Sequence, residues 1–166
     1  MTGRRVLFID RDGTINVDCP YCWKVEDLRI YEDSISIMKE YSSRGYMIVI
    51  ITNQSGINRG YFTVEDMERF NSHLIKRLSE KGVKIDALYY CPHRPDEGCR
   101  CRKPGTGMIE KAVHDLEVDI SESIMVGDRD DIDGELARRT GMGSMENFRR
   151  VDISKINNER LLFAGS

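Results

Sequence analysis

Residues 4–14 read RRVLFIDRDGT. A basic pair leads into the apolar run Val6–Ile9, which ends at Asp10. Asp12 follows two positions later, with a Gly-Thr turn behind it. A short apolar run bounded by charge and then by a turn reads as a buried strand. The same kind of segment recurs along the chain. YMIVIITN (46–53) is a second buried strand, IDALYYC (85–91) a third and SIMVGD (123–128) a fourth.

Helical patterns separate these strands. DSISIMKEYSSRG puts Ile35, Met38 and Tyr41 on one face and stops at Gly45. FTVEDMERFNSHLIKRLSEKG places Val64, Met67, Phe70, Leu74 and Leu78 on one stripe, with Thr63 as N-cap and Gly82 as the stop. TGMIEKAVHDLE carries Ile109, Ala112, Val113 and Leu116 at helical spacing, and ELARRTG gives a short helix after the fourth strand. From Asn147 the chain is polar and weakly patterned up to a last helical segment ending in LLF. Strands alternating with helices predict an α/β fold with a Rossmann-like, doubly wound parallel sheet. The length favours one domain over residues 1–166.

The composition is that of an ordinary globule, with 40% hydrophobic and 32% charged residues. A net charge of −3 gives no electrostatic case for nucleic acid or an anionic membrane as partner. No apolar run approaches the ~20 residues that span a bilayer, and the N-terminus lacks a signal-peptide pattern. A cytoplasmic location is expected, in which five cysteines stay as thiols or metal ligands.

In a doubly wound sheet, ligands bind at the carboxyl ends of the strands. Here those ends are Asp10, Thr52-Asn53, Cys91 and Asp128. Asp10, Asp12 and Asp128 offer oxygens to a hard cation such as Mg²⁺. A carboxylate can also attack phosphorus to give an aspartyl-phosphate, and a second can protonate the leaving oxygen and later deprotonate water. Thr52 and Asn53 can donate to phosphate oxygens, and Lys103 supplies a point charge for them. This set suits phosphoryl transfer, where catalysis is mostly positioning and neutralisation of charge.

The stretch YYCPHRPDEGCRCRKPG (89–105) holds Cys91, His93, Cys99 and Cys101. Three thiolates and an imidazole are the donors of a closed tetrahedral Zn²⁺ site, which makes this metal structural. It would fix the loop, residues 91–103, that delivers Arg102 and Lys103. His73 and His114 lie within helical patterns and read as partly exposed, non-catalytic residues. Arg149 and Arg150 read as a solvated pair.

DRDGT (10–14), ITN (51–53), Lys103 and GDRDDID (127–133) together resemble the four motifs of the haloacid dehalogenase-like phosphohydrolase superfamily. The resemblance implies Asp10 as nucleophile and Asp12 as general acid/base. It implies Thr52 and Lys103 as stabilisers of the transferring group, and Asp10, the backbone carbonyl of Asp12 and Asp128 as Mg²⁺ ligands. Of Asp131 and Asp133, the second is preferred as support for the metal. An Asp at position 12, where the superfamily's pumps carry Thr, implies a hydrolase. The short spacings between motifs leave no room for a large cap domain, so the fold should be capless with an open site.

CPH…CxCRKP, DRDGTIN and TNQSGINRGYF resemble the capless branch that holds the heptose bisphosphate and histidinol phosphatases. That likeness implies a small phosphorylated sugar, D-glycero-D-manno-heptose 1,7-bisphosphate losing its 7-phosphate. The alternative is histidinol phosphate, an amino-alcohol phosphate. It places substrate contacts on Asp18, Cys19, Pro20 and Tyr21, on Thr52, Asn53, Gln54 and Ser55, and on Arg102. Two positions depart from the branch. VDCPYCW (17–23) replaces a His-Gly-Tyr-like segment, and Arg129 stands where Lys is usual. Cys19 and Cys22 read as small residues packing the substrate loop. A rival from another class is a zinc-stabilised binding module that has kept the fold without turnover.

Overall fold

A computed structural model describes residues 3–146. The proposed last helix and the Arg149-Arg150 pair lie outside the described residues. Five parallel strands form one sheet, β1 (Val6–Ile9), β2 (Met47–Asn53), β3 (Ala87–Cys91), β4 (Ile124–Gly127) and β5 (Gly143–Glu146), in the order β3-β2-β1-β4-β5. The helices are α1 (Glu32–Ser43), α2 (Val64–Glu80), α3 (Gly107–Leu116) and α4 (Glu135–Thr140).

Strands β1 and β4, and β2 up to Ile51, are apolar because the sheet is covered on both faces. Alternate residues then serve alternate cores. Leu7, Ile9, Ile48, Ile50 and Val126 pack with Ile37, Met38 and Tyr41 of α1 and Phe70, Leu74 and Leu78 of α2. Val6, Phe8, Val49, Ile51 and Met125 pack with Met108, Ile109 and Ala112 of α3 and Leu136 and Ala137 of α4. Helix α2 starts where its sequence says it should. The Thr63 side chain accepts from the Asp66 amide and the Asp66 carboxylate accepts from the Thr63 amide, a reciprocal cap. His73 and His114 are exposed, as expected.

The fifth strand is not evident from the sequence. GSME has two small or flexible residues and no β-branched one, so its propensity is poor. It forms because β4 offers a partner, with Gly143 opposite Ile124 and Glu146 opposite Gly127.

Between β1 and β2 lie a 3₁₀ turn (Val25–Asp27) and α1, and between β2 and β3 only α2, so neither connection inserts a cap. The strand order reverses between β1 and β4, and the crevice at the carboxyl ends of those two strands is the position this topology reserves for a ligand. Among the described residues, no helix is long and apolar enough to cross a membrane.

Candidate active site

Asp10 sits one residue beyond β1, where its amide donates to Val126 O of β4 at 3.0 Å. Asp128 follows β4 directly. Lys103, reached through the Cys-rich loop, is 3% exposed. A buried ammonium needs partners. Its Nζ donates to Asp10 Oδ1 at 2.8 Å, to Asp133 Oδ1 at 2.9 Å and to Ile51 O at 3.0 Å. Burial works against this charge, but Asp10 and Asp133 outweigh it and push Lys103 up to about 12. The same burial raises the Asp10 carboxyl to about 7, against the pull of Lys103 and with help from Asp133 and Asp12.

Asp10, Asp128 and Asp133 bring carboxylate oxygens within 4.8 Å of one another, a group that could hold a metal ion. Four acids, Asp10, Asp12, Asp128 and Asp133, face two cations that are buried among the described residues, Lys103 and Arg11. The excess negative charge and the all-oxygen donor set suit a hard divalent cation. Two glycines make room for it. Gly13 has φ +83°, and a Cβ there would lie 2.5 Å from Asp128 Oδ2. A Cβ on Gly127 would lie 2.2 Å from Asp133 Oδ2. The two late acids differ in their surroundings. Asp133 is 2% exposed against Lys103, whereas Asp131 is exposed and pairs with Arg129 at 2.7 Å.

The Asp12 carboxylate stands apart from this group. Arg11 grips both its oxygens at 3.0 Å, Asn16 Nδ2 donates to Oδ1 at 3.0 Å, and Gln54 Nε2 donates to Oδ2 at 3.0 Å. Its side-chain oxygens are therefore engaged by Arg11, Asn16 and Gln54.

A cleft of about 380 Å³ opens above these groups. Asp10, Asp12, Asp18, Pro20, Tyr21, Thr52, Asn53, Gln54, Ser55, Arg102, Lys103 and Asp128 all line it, so the structure brings together every residue expected there except Cys19. Cys19 instead packs against the core beside Cys22. The expectation of thiols throughout also gives way at this pair, which forms a disulfide. Tyr21, in the left-handed region at φ 55°, turns the loop so that the two Cα atoms stand 5.3 Å apart, within disulfide reach. Asp18 overhangs the acids. Burial, then Asp12 and Asp128, raise its carboxyl above the usual range.

Asn53 lines the cleft, but its amide is engaged by the backbone. Asn53 Oδ1 accepts from the Lys103 amide at 2.9 Å and Nδ2 donates to Lys103 O at 3.2 Å. It positions Lys103, a job its place beside Thr52 did not suggest. Arg11, Asn16 and Asn71 escaped the sequence reading altogether. Arg11 lies between the two read acids, and nothing in its spacing marks an arginine as 0% exposed.

The Cys-rich loop closes on itself. Cys91 Sγ lies 3.3 Å from His93 Nδ1 and 3.6 Å from Cys99 Sγ, and Cys101 Sγ lies 3.2 Å from His93 Nδ1 and 3.7 Å from Cys99 Sγ. A tetrahedron with metal–sulfur bonds of about 2.3 Å has sulfur–sulfur edges of about 3.8 Å, close to these separations. Burial opposes charge on Cys99. The Arg102 amide and hydrogen bonds with Cys91, Cys101 and His93 nevertheless bring its thiol down to about 7, whereas burial raises Cys91 and Cys101. Arg102 Nη1 donates to His93 O at 3.3 Å, which ties the loop to the residue before Lys103.

A capless Rossmann-like sheet with an Asp pair after β1, a hydroxyl at the end of β2, a buried lysine and acids after β4 defines a haloacid dehalogenase-like phosphatase. The chain belongs to the polynucleotide kinase 3 phosphatase family, whose model matches residues 6–164. Over 138 residues it is 57% identical to a protein of Thermoplasma acidophilum named a probable D-glycero-D-manno-heptose-1,7-bisphosphate 7-phosphatase, covering 83% of this chain and 86% of that one. Over 134 residues it is 40% identical to the D-glycero-beta-D-manno-heptose-1,7-bisphosphate 7-phosphatase of Haemophilus ducreyi, covering 76% and 74%. Among solved structures it is similar to a D,D-heptose 1,7-bisphosphate phosphatase from B. bronchiseptica complexed with magnesium and phosphate. There the TM-score is 0.78 at 29% identity, over 86% of this chain and 79% of that one.

Proposed function

We propose that this protein is a Mg²⁺-dependent phosphomonoesterase that removes the 7-phosphate of D-glycero-D-manno-heptose 1,7-bisphosphate through an aspartyl-phosphate on Asp10. The observation that carries the reading is Lys103 Nζ, buried and bonded to Asp10 Oδ1, in a cleft that Asp12 also lines. An Asp10 carboxylate oxygen attacks phosphorus, and the phosphorus–alkoxide bond breaks. Asp12 gives its proton to the departing oxygen, then takes one from the water that attacks the aspartyl-phosphate. Inorganic phosphate and free Asp10 result. Thr52 and Lys103 face the negative charge that builds on the transferring group. Asp10, Asp128 and the Asp12 carbonyl would hold Mg²⁺, with Asp133 behind them. The ion would draw Asp10 back to its anion and neutralise phosphate oxygens.

The relatives' names and the Arg102 guanidinium that lines the cleft support this substrate. Arg102 reaches the rim, where its fork suits a second phosphate. A comparison of kcat/KM across the heptose bisphosphate, histidinol phosphate, simple sugar monophosphates and a 3′-phosphorylated oligonucleotide tests this. The heptose bisphosphate is expected to lead by at least about a hundredfold. A lead for any of the others would overturn the substrate, and no hydrolysis of any phosphomonoester would favour the silent binding module.

Zn²⁺ held by Cys91, His93, Cys99 and Cys101 would act on the fold of the loop and not on the reaction. Chelation followed by return of Mg²⁺ alone is expected to leave activity at least about tenfold low, with faster amide exchange over residues 91–103, and return of Zn²⁺ to restore both. Native protein without zinc would end this part of the reading.

A further inference from the structure

Asn71 lies on α2, more than fifty residues along the chain from the acids after β1, and is 6% exposed among Met67, Phe70 and Leu74. An asparagine there is costly. It is a poorer helix former than leucine, and its amide must be desolvated. What offsets this cost is Arg11 Nη1, which donates to Asn71 Oδ1 at 2.8 Å.

Arg11 is itself wholly buried, with its guanidinium 4.4 Å from the Phe70 ring centroid. Its other bonds run to the site. Nε and Nη2 take one Asp12 oxygen each at 3.0 Å, and Nη2 also reaches Cys22 O at 3.0 Å. The guanidinium is planar, so a bond that fixes Nη1 fixes the orientation of the fork that holds Asp12. Helix α2 is seventeen residues long and firmly capped, and so a rigid place to anchor it. Asn16 and Gln54 add one donor to each Asp12 oxygen, but only Arg11 grips both.

We infer that Asn71, acting through Arg11, is a positioning residue for the Asp12 carboxylate. This rests on the reading of Asp12 as general acid and base. A misplaced acid/base slows each step that moves a proton, and displacement of a reacting group by about 1 Å can cost about a hundredfold. With p-nitrophenyl phosphate the leaving group departs without a proton, so the first step does not need Asp12. Breakdown of the aspartyl-phosphate does.

The test is rapid-mixing kinetics with p-nitrophenyl phosphate on Asn71→Leu, alike in branching but without an acceptor, and on Asn71→Asp, which keeps one. In Asn71→Leu, the first turnover is expected within about twofold of the parent, followed by a steady state about 10- to 100-fold slower. A burst of one nitrophenolate per enzyme would mark the change, with KM falling alongside kcat so that kcat/KM stays near the parent's. Asn71→Asp should return the steady state to near the parent. Should Asn71→Leu not fold, Asn71→Ser, too short to reach Arg11, takes its place. A parental steady state in Asn71→Leu or Asn71→Ser, or a burst and steady state depressed together in either, overturns the inference. Asp12→Asn separates the two layers. If it turns over normally, the reading of Asp12 falls. If it is inactive while Asn71→Leu behaves as the parent, only the positioning role falls.

Discussion

Asp10→Asn is expected to fold, keep its cleft and lose at least about four orders of magnitude in kcat. The amide occupies the same volume but is no nucleophile. Stability should hardly suffer, because the fold without metal already disfavours the Asp10 anion, whose carboxyl is raised to about 7 chiefly by burial. Lys103 also keeps Asp133 Oδ1 and Ile51 O as acceptors. Steady-state assays beside thermal melts check both halves. A variant with a tenth of the parent's activity would mean that water, not Asp10, attacks phosphorus.

Lys103→Met should do the opposite to stability. It removes the one cation lying between Asp10 and Asp133, whose side chains are 13% and 4% exposed. Breaking a buried pair by deleting one partner costs about 3–5 kcal/mol. For a chain of this size that is roughly 6–20 °C in Tm. Activity should fall at least about a thousandfold, since the charge facing the phosphoryl oxygens goes too. Millimolar Mg²⁺ should return part of the lost stability, because a divalent cation can neutralise the same acids, yet return no activity. Adding Asp133→Asn should likewise stabilise the Met variant without reviving it. Melting curves with chelator and with Mg²⁺ separate these outcomes, and an unchanged Tm in the single variant would refute the ion-pair description.

What the sequence made legible here was whatever repeats a local rule. Val6–Ile9 and residues 47–51 are apolar because both faces of the sheet are covered, and each runs into the polar residues that the site needs, Asp10 after the first and Thr52-Asn53 after the second. The cysteines and histidine of the metal loop stand close together in the chain. The residues that escaped depend on tertiary neighbours. Gly143–Glu146 becomes a strand only because β4 pairs with it. Arg11 looks like a solvated residue between two acids until Asn71 of α2 and the Cys22 carbonyl close around it. Asn53 looks like a phosphate donor until the Lys103 backbone takes both ends of its amide. Cys19 sits among cleft residues in the chain but turns inward.

The central claim is that Asp10 carries the phosphoryl group. Enzyme mixed with substrate and Mg²⁺, quenched in acid within one turnover and reduced with borohydride, should convert the acyl phosphate to homoserine. Cleavage after Arg5 and Arg11 isolates residues 6–11, in which Asp10 is the one side-chain carboxylate. Homoserine at position 10, absent without substrate, is the expected mass-spectrometric result. Label on any other acid, or none under conditions of full turnover, would contradict it.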